Sequence, residues 1–166
     1  MRDTSTVTVA SWITWLGNIY VVVIVTIAAT LFLFLRKRWF QVAGLWLTMI
    51  GSGLSILLLK DLFYRPRPDA IEGLHNASSS FPSGNSIFAA ALFGALLLSA
   101  FPAAQDDRFR RLAVMLAVAV PLLVASSRVI LSEHYVSDTV AGLSVGFAWA
   151  LIGGRIALRR KPEKPL

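Results

Sequence analysis

The sequence predicts an all-α, multi-pass membrane bundle of about five transmembrane helices. Three observations predict it. The chain of 166 residues is 56% hydrophobic and 15% charged, where an ordinary soluble domain is about a quarter charged. Apolar stretches close to the about 20 residues that cross a bilayer recur along it. The 16 Lys and Arg, which leave a formal charge of +7, gather in alternate connections. So apolar a composition excludes a disordered chain. Without Cys there is no disulfide, thiolate metal site or Cys nucleophile. The length fits one membrane-embedded domain, residues 1–166, ending in a basic tail at 159–166.

The first span runs from residue 13 or 17 to residue 35. It is too long for a signal-peptide core, and its basic cluster, Arg36-Lys37-Arg38, follows it, so it reads as a retained span. Residues 7–15 either extend it or lie along the interface, where Trp12, Trp15 and Trp39 fit an aromatic belt. The second span covers residues 42–59, the short third 86–101, the fourth 112–131 and the fifth 139–158. Arg36 to Arg38, then Arg108, Arg110 and Arg111, then the tail with Arg155, Arg159, Arg160, Lys161 and Lys164 fall on one side. The positive-inside rule makes that side cytoplasmic. The N-terminus and the connections 60–82 and 132–137 then face outward, the periplasmic side of a cell (inner) membrane. The cytoplasmic side carries +8 and the outer side −1. The basic excess is therefore a topology signal and not a nucleic-acid footprint, which needs a basic face on a soluble fold.

Cations on the outer side need another reason to exist. Lys60-Asp-Leu-Phe-Tyr-Arg-Pro-Arg-Pro-Asp69 places Arg65 and Arg67 before prolines, which push the preceding residue toward an extended backbone. The segment reads equally as a solvated basic loop or as an anion clamp of Arg forks suited to phosphate oxygens. Phe81-Pro82-Ser83-Gly84-Asn85-Ser86 precedes the third span. It reads as a capped helix start or as a turn offering backbone N–H groups to an anion. Arg128 stands near the end of an apolar span, where an ionisable group is costly and functional by default. His134 and Asp138 are four apart, so on a helix they share a face. A carboxylate on one imidazole nitrogen leaves the other free to attack. The derived topology puts all of these on the outer side. Together they supply a His nucleophile, an orienting Asp, cations and an amide nest. That set suits phosphoryl transfer, which needs positioning and charge stabilisation more than covalent help. Cations doing that work require neither a metal nor a cofactor. His75 is an alternative proton source, and Asn76-Ala-Ser78 matches a glycosylation sequon.

At these residues the sequence resembles the type 2 phosphatidic acid phosphatase family, related to the vanadium-dependent haloperoxidases. Its first motif, Lys, six residues, Arg-Pro, is matched by Lys60 and Arg67-Pro68. Its second, Pro-Ser-Gly-His, is matched at Pro82-Ser83-Gly84, with Asn85 in place of His. Its third, Ser-Arg, five residues, His, three residues, Asp, is matched by Ser127-Arg128, His134 and Asp138. The resemblance implies a membrane phosphatase acting on a lipid phosphate or a polyprenyl diphosphate among the membrane lipids around it. Lys60, Arg67 and Arg128, with Ser83 and the Gly84 amide, would bind the phosphoryl oxygens. His134 would form a phosphohistidine, and Asp138 would orient it and stabilise its charge.

Two features depart from the family. Members typically have six spans where five are read here, and the absent one would be the first. Asn85 stands where the family has its general acid, and an amide cannot deliver a proton to the leaving oxygen. Asn85 is compatible with an inactivating substitution, with an enzyme whose leaving group needs no acid, or with a silent lipid-phosphate binder. A lipid diphosphate, which leaves as a weakly basic phosphate monoester, would tolerate Asn85 better than a monoester would. Transfer of the phosphoryl group to another lipid instead of water is a related alternative.

Overall fold

The computed structural model describes residues 4–68, 79–100 and 107–159. His75, the Asn76 sequon and the tail beyond Arg159 lie outside them. The described residues form α1 (Thr4–Thr14), a 3-10 turn (Trp15–Gly17), α2 (Ile19–Leu35), α3 (Trp39–Leu62), α4 (Gly84–Ala100), α5 (Asp107–Ile130) and α6 (Val136–Ala157), with no strand among them. The five expected spans correspond to α2 through α6. By length and composition α3, α5 and α6 suffice to cross a membrane, and α4 is a shorter apolar helix. Residues 4–17 and α2 pass the same test together but meet at a 42° bend. The bend has a local cause. The turn at Trp15–Gly17 interrupts the helix, and the Asn18 side chain recaps α2 by accepting from the Tyr20 N–H at 2.9 Å. α3 runs past, and α6 starts before, the bounds hydropathy suggested, so Lys60 and Asp138 sit in terminal helical turns and not in loops.

The bundle is apolar on the outside. Ile24, Leu57, Met115 and Leu151 are exposed, whereas Thr48, Ser52 and Ser86 are buried. Between apolar helices in lipid, small residues permit close van der Waals packing where burial from water offers little. α4 lies at the centre, with Ile87, Ala89, Ala90, Ala91 and Leu92 all buried. α6 meets it along a seam of small residues, Gly142, Gly146, Ala150 and Gly154. A Cβ on Gly142 would come within 2.8 Å of the Ser83 carbonyl oxygen, so this glycine brings the start of α4 onto α6. Against α3, the Thr48 hydroxyl reaches the carbonyls of Gly44 at 2.9 Å and Trp149 at 3.2 Å. Trp149 Nε1 donates to Ser55 Oγ at 2.9 Å. α3 and α5 end, and α4 and α6 begin, at one end of this bundle, and there the motif residues collect.

Candidate active site

Two short pieces of chain, residues 63–67 and 79–81, build the floor of the site. Ser80 N–H donates to the Arg65 carbonyl at 2.8 Å, and the Arg65 N–H donates to Ser79 Oγ at 3.1 Å. The Ser79 and Ser80 hydroxyls donate back to the carbonyls of Phe63 and Pro66. The extended backbone that the two Arg-Pro steps favour is thus paired and fixed. Its outward carbonyls hold two candidate residues. Lys60 Nζ donates to the Ser79 carbonyl at 2.7 Å, and His134 Nδ1 lies 2.7 Å from the Ser80 carbonyl.

That second bond determines the chemistry of the ring. A carbonyl oxygen can only accept, so Nδ1 carries the proton and Nε2 holds a lone pair. Burial, and then the Arg128 and Arg67 charges, push His134 down to about 4, against the opposing pull of the Ser80 hydrogen bond and of Asp138. The ring is therefore neutral at neutral pH, with its nucleophilic nitrogen available.

Asp138 differs from its expected orienting role. Its Oδ2 lies 3.7 Å from His134 Nδ1, outside hydrogen-bond distance. Oδ2 instead accepts from the Tyr135 N–H at 2.9 Å, half of a capping box at the start of α6. Oδ1 accepts from Arg65 Nη1 at 2.7 Å. The cap competes for the carboxylate and wins, because Asp138 is in the first turn of the helix whose N–H it satisfies. Asp138 remains a fully buried negative charge beside the ring. Arg65 also bonds Ser137 Oγ at 2.8 Å and stacks over Tyr135 at 4.0 Å, so it docks the basic segment onto α6.

The remaining residues come from the other motifs. Ser83 is fully buried; its N–H donates to the Asp138 carbonyl at 3.1 Å, and its hydroxyl accepts from Ser86 at 3.0 Å. Its backbone ties α4 to α6, so this N–H is already used. The first-turn amides of Gly84, Asn85 and Ser86 precede the first intrahelical bond, Ile87 N–H to the Ser83 carbonyl. Arg128 is buried at the end of α5, and its Nε has no hydrogen-bond partner among the described residues. Asn85 Nδ2 lies 3.3 Å from both the carbonyl and the hydroxyl of Thr14. Arg128 Nη1 donates to the same hydroxyl at 3.0 Å. A Cβ on Gly17 would stand 2.6 Å from the Asn85 carbonyl, so the N-terminal segment closes tightly on this position. The turn after α5 passes through Ser132, at φ 55°, and presents Glu133 and His134 side by side. Glu133 pairs with Arg128 through both carboxylate oxygens and lies 3.4 Å from Arg67 Nη1.

Lys60, Arg67, Ser83, Gly84, Asn85, Arg128, His134 and Asp138 all lie at one end of the bundle. The sequence reading missed Ser79 and Ser80, which act through backbone carbonyls that any residue type supplies. It missed Thr14, 71 residues from Asn85. It also passed over Glu133, although a carboxylate next to the candidate nucleophile was a usable signal. Among the described residues no three His, Asp or Glu side chains gather in a metal-binding group.

Known proteins resemble this chain in sequence and fold. Residues 41–162 match the family model of the PAP2 superfamily. Phosphatidylglycerophosphatase B of Bacillus subtilis (strain 168) is 34% identical over 128 residues, 74% of this chain and 60% of that protein. A lipid A 1-phosphatase of Rhizobium johnstonii is 36% identical over 117 residues, 64% of this chain and 43% of the relative. The chain therefore spans about half the length of these curated relatives. The crystal structure of a transmembrane PAP2-type phosphatidylglycerolphosphate phosphatase from Bacillus subtilis superposes with a TM-score of 0.81 at 26% identity, covering 99% of this chain and 82% of the other. With the family model covering most of its length and the three motifs assembled in one site, the chain belongs to the PAP2 superfamily.

Proposed function

We propose that the chain is a membrane phosphatase that removes a terminal phosphate from a lipid phosphate or lipid diphosphate at the outer, periplasmic face of a cell membrane, through a phosphohistidine on His134. The observation that carries this is the His134–Ser80 bond, which leaves Nε2 as a neutral nucleophile among Lys60, Arg67 and Arg128. Nε2 would attack phosphorus as the bond to the leaving oxygen breaks. The three cations would hold the equatorial oxygens, and the buried Asp138 charge would stabilise the phosphorylated ring. Water would then break the P–N bond and release phosphate. The outer placement rests on the distribution of Lys and Arg.

The relatives' names make phosphatidylglycerophosphate and lipid A the substrate classes to test first. An apolar groove of about 220 Å³ between α2, α3 and α4, lined by Ile19, Val22, Trp46, Met49 and Phe88 among others, offers a place for a lipid tail. The Asn85–Thr14 bonds favour a second reading, a silent binder, because the family's acid position here serves as an anchor.

The test is phosphate release in detergent micelles from phosphatidylglycerophosphate and from a polyprenyl diphosphate. Release by the wild type that His134→Ala abolishes supports the phosphatase. Lipid binding without release by the wild type supports the binder.

A further inference from the structure

We infer that Glu133 is a specificity determinant: a built-in carboxylate that occupies Arg67 and Arg128 and yields to a terminal phosphate but not to a phosphodiester headgroup. The inference rests on the phosphoryl-binding reading of this site.

Glu133 reaches both guanidiniums assigned to the phosphoryl group, pairing with Arg128 through two oxygens and with Arg67 at 3.4 Å. Its position is held by the chain. Glu133 N–H donates to the Arg128 carbonyl at 3.1 Å, directly after the Ser132 turn. A tethered carboxylate competes at a high effective concentration. Exposure is asymmetric across the pair. The Glu133 side chain is 40% exposed, against 10% for Arg128 and 21% for Arg67. The carboxylate can swing toward solvent while the two cations stay, which suits a displaceable occupant better than a fixed brace. Arg128 Nε, buried and unpartnered among the described residues, is a donor the carboxylate leaves unsatisfied.

The setting supplies the competitor. The flanks of this bundle are apolar, and on the proposed topology the site, at one end of it, sits at the level of lipid headgroups, where phosphodiesters are abundant. A phosphodiester has two free oxygens and one negative charge, the same inventory as the Glu133 carboxylate. Exchange would add no contact and would forfeit the tether. A terminal phosphate has three free oxygens and a second charge that develops at a pKa of about 6. It can serve both guanidiniums and still reach a further donor, so it displaces Glu133 where the diester does not.

Calorimetric titration of the full chain in detergent tests this, with inorganic phosphate and dimethyl phosphate as probes. Glu133→Gln keeps the shape and an acceptor; Glu133→Ala removes both, and a thermal melt checks the fold of each. The wild type should bind phosphate and discriminate strongly against dimethyl phosphate. Both variants should gain affinity for dimethyl phosphate by at least about ten-fold more than for phosphate. Equal gains for the two anions, or weaker phosphate binding in both variants, would overturn the inference while leaving the phosphoryl site intact. No phosphate binding by any of the three proteins would overturn the functional reading itself.

Discussion

The imidazole Nδ1 of His134 lies 2.7 Å from the carbonyl oxygen of Ser80. Because Ser80 is itself pinned to the Arg65 and Pro66 backbone, the tautomer of the ring is set by the main chain and not by a carboxylate. In the proposed mechanism Nε2, left with its lone pair, is the attacking atom. His134→Ala should therefore lower kcat by at least about 10⁴-fold, as removal of a catalytic nucleophile does elsewhere. An alkaline quench of wild type with labelled substrate should retain label on the protein, and an acid quench should lose it, because a phosphoramidate is acid-labile. The variant should carry no label under either quench. Its Ser80 carbonyl loses a partner, so melting should occur earlier but stay cooperative.

The depressed His134 pKa has a consequence for stability. Its usual value of 6.5 falls to about 4 in the folded protein, chiefly through burial. Between those values the unfolded chain binds the proton and the folded chain does not, so folding stability rises with pH across that window. The contribution is complete above pH 6.5 and is lost as pH falls toward 4, to a maximum of about 3 kcal/mol. Melting temperatures in detergent should drop over this interval in the wild type. The drop should be shallower in His134→Gln, which cannot titrate.

Asp138 is predicted to matter for architecture as well as charge. Its two oxygens serve Arg65 and the Tyr135 N–H, so one side chain ties the basic segment to the start of α6. Asp138→Ala should cost about 1–3 kcal/mol by leaving a buried donor unmet, and Asp138→Asn less, since it keeps an acceptor. A double-mutant cycle with Arg65→Ala should show coupling. Independent, additive effects would mean the pair is not energetically linked.

Much of this was legible in the chain because membrane helices announce themselves by length and apolarity. In the third motif, Arg128 was legible because it has no apolar justification at a span end; the helical spacing read for His134 and Asp138 does not hold, since His134 lies in the turn before α6. What was not legible came from geometry that composition does not encode. The Ser79 and Ser80 carbonyls act through the backbone. Thr14 reaches Asn85 and Arg128 only after the chain folds back across the bundle. The role of Asp138 shifted because a helix N-terminus makes its own claim on a first-turn carboxylate. Residues 7–15, read as an extension of the first span or an interfacial stretch, fall almost wholly in a separate helix, Thr4–Thr14, because Trp15–Gly17 and the Asn18 cap interrupt it.

The opposite end of the bundle offers a stability test remote from the site. α2 closes with the Lys37 N–H on the Phe34 carbonyl at 2.8 Å and the Arg38 N–H on the Leu33 carbonyl at 2.9 Å, a Schellman motif. Lys37 holds the left-handed position at φ 55°, where a side chain is disfavoured. Lys37→Gly should stabilise the fold by about 1 kcal/mol and leave activity unchanged. Arg36 and Arg38 stay to anchor that end. A lower melting temperature would mean that the Lys37 side chain contributes more than its backbone costs.

Asn85 offers the sharpest prediction about substrate. At the position of the family's acid, its amide is committed to Thr14, at 3.3 Å from both the carbonyl and the hydroxyl. An amide is no general acid, so in the proposed mechanism the leaving oxygen departs largely unprotonated. A phosphate monoester, expelled from a lipid diphosphate, is a far weaker base than the alkoxide expelled from a lipid monophosphate. The wild type should therefore turn over a polyprenyl diphosphate faster than phosphatidate. Asn85→His should raise the rate on phosphatidate by about 10²-fold or more, the usual scale of general acid catalysis, and change the diphosphate rate little. It should also lower the melting temperature, because the bonds to Thr14 are lost. Side-by-side initial rates on the two lipids check both parts. Equal wild-type rates, or an Asn85→His variant no faster on phosphatidate, would show that protonation of the leaving group does not limit this site.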